Sequence, residues 1–158
     1  MAQTLPPPRE YAAWLAAFRI YMGLFWLIAG VLKIGSGSFV GSNGMMVRMV
    51  TNFAVKTHGA YHDFLVHTVL THATLFGELV QWGETLAGLS LLLGLLTRAG
   101  GVVAAFLALN YWIARGAGAS PEDYVGLEVL AAAASLVHAV LPTGRLFGLD
   151  GTLRARGR

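Results

Sequence analysis

No cysteine occurs among the 158 residues, which excludes disulfide staples, thiolate metal sites, iron–sulfur clusters and dithiol redox chemistry on this chain. Any redox work therefore needs a bound cofactor or a partner. Charge is nearly as scarce, with Asp, Glu, Lys and Arg making up 12% of the residues against about 25% in an ordinary soluble domain. Met1 to Glu10 holds Pro6-Pro7-Pro8 and no apolar run, so it lacks the h-region of a cleaved signal peptide, and the first apolar segment is expected to remain as a helix. What fills the chain instead is Leu, Ala, Val and 20 glycines, with mean hydropathy +0.62. That is the composition of an integral membrane protein. No segment reaches the roughly 18 uninterrupted apolar residues that decide a span by themselves, which leaves a soluble all-helical protein as the competing reading.

The length suits one domain, 1–158, folded as an all-α membrane four-helix bundle. Spans are expected at about Trp14 to Ile34, Leu75 to Leu96, Ala99 to Ala114 and Tyr124 to Leu141, the first bounded by Pro6 to Pro8 and by Gly35-Ser36-Gly37-Ser38, the last by Pro142. Only Thr97-Arg98 separates the second and third spans, which predicts a tight helical hairpin. The pI near 9.6 does not indicate nucleic acid, because Arg9, Arg98, Arg145, Arg154, Arg156 and Arg158 fall in flanks and tail. That side outweighs Lys33, Arg48, Lys56 and Arg115, so the positive-inside rule puts both termini in the cytoplasm. The long connection between the first two spans has Met46, Met49, Val50 and Phe53 at i, i+3, i+4 and i+7, an amphipathic segment over Gly44 to Lys56. It suits an interfacial helix, a cap on the bundle or a docking surface for a partner.

Polar residues inside the spans are few and carry the functional argument. Arg19, Gly23, Trp26, Gly30 and Lys33 form one helical stripe, with its two cations about 21 Å apart along the axis. The stripe either serves helix packing, with both cations snorkelling to opposite interfaces, or faces an anionic headgroup, a quinone carbonyl or the carboxylates of the second span. There Glu78, Gln81 and Glu84 follow at intervals of three, which points the two acids about 120° apart and argues against a two-carboxylate hydrolase. The expectation is that one acid pairs with Arg19 and the other meets a ligand, a water or a proton path. A structural ion-pair network between the spans is the alternative. His58, His62, His67 and His72 cluster in the connection without a third ligand at firm spacing, so no metal site is expected. His138 reads as a satisfied polar contact, and Glu128 as structural or reaching Asn110.

Two stretches resemble the DoxX/DoxD family of small bacterial and archaeal four-helix membrane proteins. The first is Arg19-Ile20-Tyr21-Met22-Gly23-Leu24-Phe25-Trp26, continuing through Ala29-Gly30 to Lys33. The second runs from Glu84 through Gly88 and Gly94-Leu95-Leu96 to Thr97-Arg98. The close Gly144-Arg145-Leu146-Phe147-Gly148-Leu149-Asp150 is similar as well, and Trp26 with the long connection looks most like the DoxD branch. The resemblance implies the large membrane subunit of thiosulfate:quinone oxidoreductase, in the inner (cytoplasmic) membrane of a bacterium or archaeon, passing electrons to quinone. By position, Arg19, Lys33, Glu84 and Arg98 match the family's motifs.

The sequence reading is thus a quinone-linked oxidoreductase subunit with a non-covalent quinone, no covalent cofactor, and peripheral or membrane redox partners. Glu84, Glu78 and Arg19 are its candidate catalytic residues, and Arg19, Trp26, Lys33 and Gln81 its candidate quinone contacts. The alternative is a non-catalytic accessory subunit of a larger respiratory or photosynthetic complex. A proton-coupled transporter is the third reading, disfavoured because no inverted repeat or broken helix pair is visible.

Overall fold

Four long helices carry the architecture: α1 (Arg9–Ser36), α4 (Ala73–Leu93), α5 (Thr97–Ala114) and α6 (Leu127–Val140). The computed structural model describes residues 9–117 and 121–156, so Pro6 to Pro8, Arg158 and the leader question lie outside it. Between α1 and α4 come α2 (Met45–Ala54), α3 (Gly59–Phe64) and a π-helical turn (Leu65–Val69). A 3-10 turn (Pro121–Val125) precedes α6, and another (Thr143–Arg145) leads into α7 (Leu149–Arg156). No strand occurs among the described residues. By length and composition alone, Tyr11–Ser36 is the one described stretch fit to cross a membrane. Polar residues such as Glu78, Gln81 and Glu84 dilute α4, while Arg98 and Asn110 dilute α5.

α1 lies antiparallel along α4, α4 along α5, and α5 along α6. Glycines set the first of these contacts. A Cβ on Gly23 would strike the backbone of Leu92, one on Gly88 the backbone of Leu27, and one on Gly30 the backbone and hydroxyl of Thr85. Each step down α1 is matched by a step up α4, a register that small residues fix by letting backbones meet. The core beneath is Met22, Trp26, Leu91, Ala104, Ala108 and Ala132. Its one polar tie is the Trp26 indole N–H, which donates to Ser135 Oγ at 3.2 Å.

The amphipathic segment expected over Gly44 to Lys56 is α2, with Met46, Val50 and Ala54 buried. Met46 and Val50, together with Phe39, Leu65 and Val69, form a second apolar cluster against Phe76 and Val80 of α4. The connection is therefore a cap with its own core. Tyr61 joins it to α5 by donating to the Asn110 carbonyl at 3.3 Å, and burial pushes its phenol above the ordinary value.

The hairpin between α4 and α5 closes at Gly94, left-handed at φ +67, with Leu95 N–H bonding back to Ser90 O at 3.0 Å. Leu96 is left-handed too, at φ +52, a conformation that costs a side-chain-bearing residue about 1–2 kcal/mol. Asp150 holds it there. Its carboxylate accepts from Leu96 N at 2.8 Å, Thr97 N at 3.2 Å and Thr97 Oγ1 at 3.0 Å, so the C-terminal segment caps α5.

Candidate functional site

Buried polar side chains gather at two levels of α1, and the α1–α4 register decides what each meets. Continued from the glycine contacts, it puts Lys33 opposite Trp82, beside Glu84, and Arg19 opposite Leu96, beyond the end of α4. The expected pairing of Arg19 with an acid of the second span is therefore not what the structure holds. Lys33 Nζ lies 2.5 Å from Glu84 Oε2, and the other oxygen of Glu84 accepts from the Tyr111 hydroxyl at 2.8 Å. Glu84 is 1% exposed and Lys33 20%, which makes a buried carboxylate with both oxygens occupied and a cation that still reaches the surface. The Phe39 and Tyr111 rings stand 5.5 and 6.0 Å from Nζ, within cation–π range.

Lys33 and Tyr111 look into a cleft of about 480 Å³ whose apolar walls include Phe39, Met45, Met49 and Phe53. Arg115 and Glu128, an ion pair at 2.9 Å, close one edge. Glu128 thus answers Arg115, while the Asn110 amide donates to Phe106 O of its own helix. Gln81 Nε2 donates to Glu78 Oε2 at 2.6 Å, so the two acids of α4 serve separate partners. Trp26 turns to Ser135 on α6 and does not line this cleft.

Arg19 belongs to the other level. It is 1% exposed, its Nη2 donates to Phe147 O at 3.3 Å, and its guanidinium lies against the Cα of Gly94 and Gly148, where a Cβ on either would collide with it. Its Nε and Nη1 have no hydrogen-bond partner among the described residues. Asp150 supplies the attractive charge. His138, fully buried, has Nδ1 3.1 Å from Thr143 Oγ1 and an unpartnered Nε2. The connection histidines have local roles: His62 Nδ1 lies 2.9 Å from Ala54 O and His72 Nδ1 3.0 Å from Thr68 O.

Sequence reasoning missed Tyr111, Thr143 and Asp150. For Tyr111 a signal exists in the polar and aromatic run Asn110-Tyr111-Trp112 near the C-terminal end of α5, the same axial distance from Thr97 as Lys33 is from Arg19.

Comparison with known protein families gives a match over nearly the whole chain. The sequence pattern of a family described as the TQO (thiosulfate:quinone oxidoreductase) small subunit DoxD fits residues 14–157. That description names the small subunit, where the motif resemblance had implied the large one. No curated protein and no solved structure matches the chain.

Proposed function

The chain belongs to the DoxD family, and from that premise we propose that it is the quinone-facing membrane subunit of a thiosulfate:quinone oxidoreductase-type assembly. Residues 1–158 then form a single transmembrane domain in the cytoplasmic membrane of a bacterium or archaeon, with both termini in the cytoplasm. Family membership itself implies a membrane subunit working with partner subunits. Three features support a membrane bundle. α1, α4 and α5 are about 42, 31 and 27 Å long against a hydrocarbon core of about 30 Å, while α6 is shorter, ended by extended backbone at Gly126 and Leu141. The outward side chains are apolar, among them Leu24, Ile28, Leu79, Leu86, Phe106 and Leu130. The polar side chains Arg19, Gln81, Glu84, Ser135 and His138 are all buried, the inverse of a soluble bundle.

One observation carries the quinone reading: the Lys33–Glu84–Tyr111 centre opens into a cleft of about 480 Å³ with one apolar wall and one polar edge, the size of a small-molecule site. A quinone, when bound, takes up two electrons and two protons. Lys33 Nζ presents N–H donors to a carbonyl oxygen, and Glu84 holds that amine in place. The Tyr111 hydroxyl donates to the other oxygen of the same carboxylate, so its proton and those of Lys33 are linked through Glu84. Met45, Met49 and Phe53 give the quinone ring an apolar wall. Electrons come from a partner subunit, because the chain has no thiol to carry them. Glu78 and Gln81 form a second hydrogen-bonded pair on α4, and Arg19 holds the opposite end of the bundle.

The test is thiosulfate-driven reduction of a short-chain quinone by the complex purified from native membranes, with Glu84→Gln beside wild type and subunit ratios measured by mass spectrometry. The proposal expects an assembled complex with turnover lost. Normal turnover per assembled complex, with assembly or stability reduced, would establish the accessory reading instead.

A further inference from the structure

A second surface lies at the opposite end from the cleft, where α5 begins. A pocket of about 400 Å³ is lined by Arg98, Arg145 and Arg154 together with Thr97, Pro142 and Asp150. Asp150 is the one acid among its lining residues, and its oxygens are occupied by Leu96 N, Thr97 N and Thr97 Oγ1. Three guanidinium groups thus face one engaged carboxylate. Arg98 Nη2 spends one donor on Val140 O at 3.3 Å, and all three arginines are exposed. From the same place an almost wholly apolar groove of about 490 Å³ runs up between α4 and α5, past Leu93, Leu89, Leu86 and Val103 to Gly83. Pocket and groove share Leu96 and Ala99, so charge and hydrocarbon surface are continuous. From Leu93 to Gly83 the groove follows about 15 Å of α4, half of a hydrocarbon core of about 30 Å and so one leaflet deep.

We propose that this joined surface binds one anionic phospholipid, its phosphate diester on Arg98, Arg145 and Arg154 and an acyl chain along the α4–α5 groove. An acidic protein partner would use the pocket without the groove, and a partner helix the groove without the pocket. A headgroup with an attached chain uses both. The site rests on the membrane placement proposed above and is independent of the quinone chemistry.

The experiment is native mass spectrometry of the delipidated full chain in detergent, titrated with phosphatidylglycerol, with phosphatidylcholine of the same chains, and with inorganic phosphate. Two exposed-site variants accompany it, Arg145→Gln/Arg154→Gln and Val103→Trp, with unfolding temperature as the control for fold. Phosphatidylglycerol should be held at least about ten-fold more tightly than phosphatidylcholine, with about five-fold lost per arginine removed. Val103→Trp should weaken phosphatidylglycerol as well, by filling the groove. Equal binding of the two lipids, a folded variant of either kind that binds as wild type does, or displacement of phosphatidylglycerol by equimolar inorganic phosphate would overturn the site. Recovery of the protein in solution without detergent would overturn the membrane placement and the lipid site together.

Discussion

Arg19 and Lys33 occupy one stripe of α1, yet the bundle treats the two cations differently. Lys33 meets a buried carboxylate, keeps a fifth of its side chain exposed and shares its partner with a tyrosine hydroxyl. Arg19 is sealed in, touches no acid, and is held by a carbonyl of the C-terminal segment and by two glycine backbones. The cause is the α1–α4 register, which brings Glu84 to the level of Lys33 and leaves Arg19 beside the turn after α4. One stripe thus serves two purposes: its Lys33 end presents a partly exposed cation to a cleft, and its Arg19 end anchors the segment that caps α5. A charge pattern read along one helix needs the neighbour's register before its chemistry can be assigned.

The comparison can be broken at several points. The largest expected effect is Lys33→Met, which strands the buried Glu84 charge and should cost about 3–5 kcal/mol in detergent unfolding. Lys33→Met/Glu84→Met should recover most of that loss, and a double variant as unstable as the single one would break the pairing account. Tyr111→Phe removes one hydrogen bond to a charged group and should cost about 1.5–3 kcal/mol. Its quinone turnover should fall about 100-fold if the hydroxyl serves in proton transfer. At the Arg19 end Gly94→Ala should cost about 1–2 kcal/mol for its left-handed backbone, with a further penalty against the Arg19 guanidinium. Arg19→Met should relieve that further penalty, and a double-mutant cycle with no coupling would remove Arg19 from the contact. Asp150→Ala should cost about 1 kcal/mol and speed amide exchange at Leu96 and Thr97.

Helix positions were legible because apolar runs, glycine breaks and Pro142 are local signals. α1, α4, α5 and α6 fall within a few residues of the expected spans, and the i, i+3, i+4, i+7 pattern gave α2. The short α3, the π-helical turn and α7 carried no such period. α7 is ordered through Asp150 and the Gly94 turn, contacts between residues far apart in the chain. The candidate site was half legible. Lys33, Glu84, Gln81 and Glu78 stood out as polar residues in apolar surroundings, but the stripe alone offered Glu84 either cation. The choice lay in where Gly23, Gly30 and Gly88 let two backbones touch, which composition does not reveal. The run Asn110-Tyr111-Trp112 marks Tyr111, but an aromatic at the end of an apolar helix has the same pattern as an interface anchor.

The most direct measurement of the account's central claim is photolabelling of the native complex with an azido-quinone, followed by peptide mapping with and without excess unlabelled quinone. The Lys33 cleft predicts competable label on Met45 to Phe53 and on the peptide carrying Tyr111, weakened in Lys33→Met/Glu84→Met. Competable label confined to the α4–α5 groove, to the Arg19 end or to another subunit would contradict it.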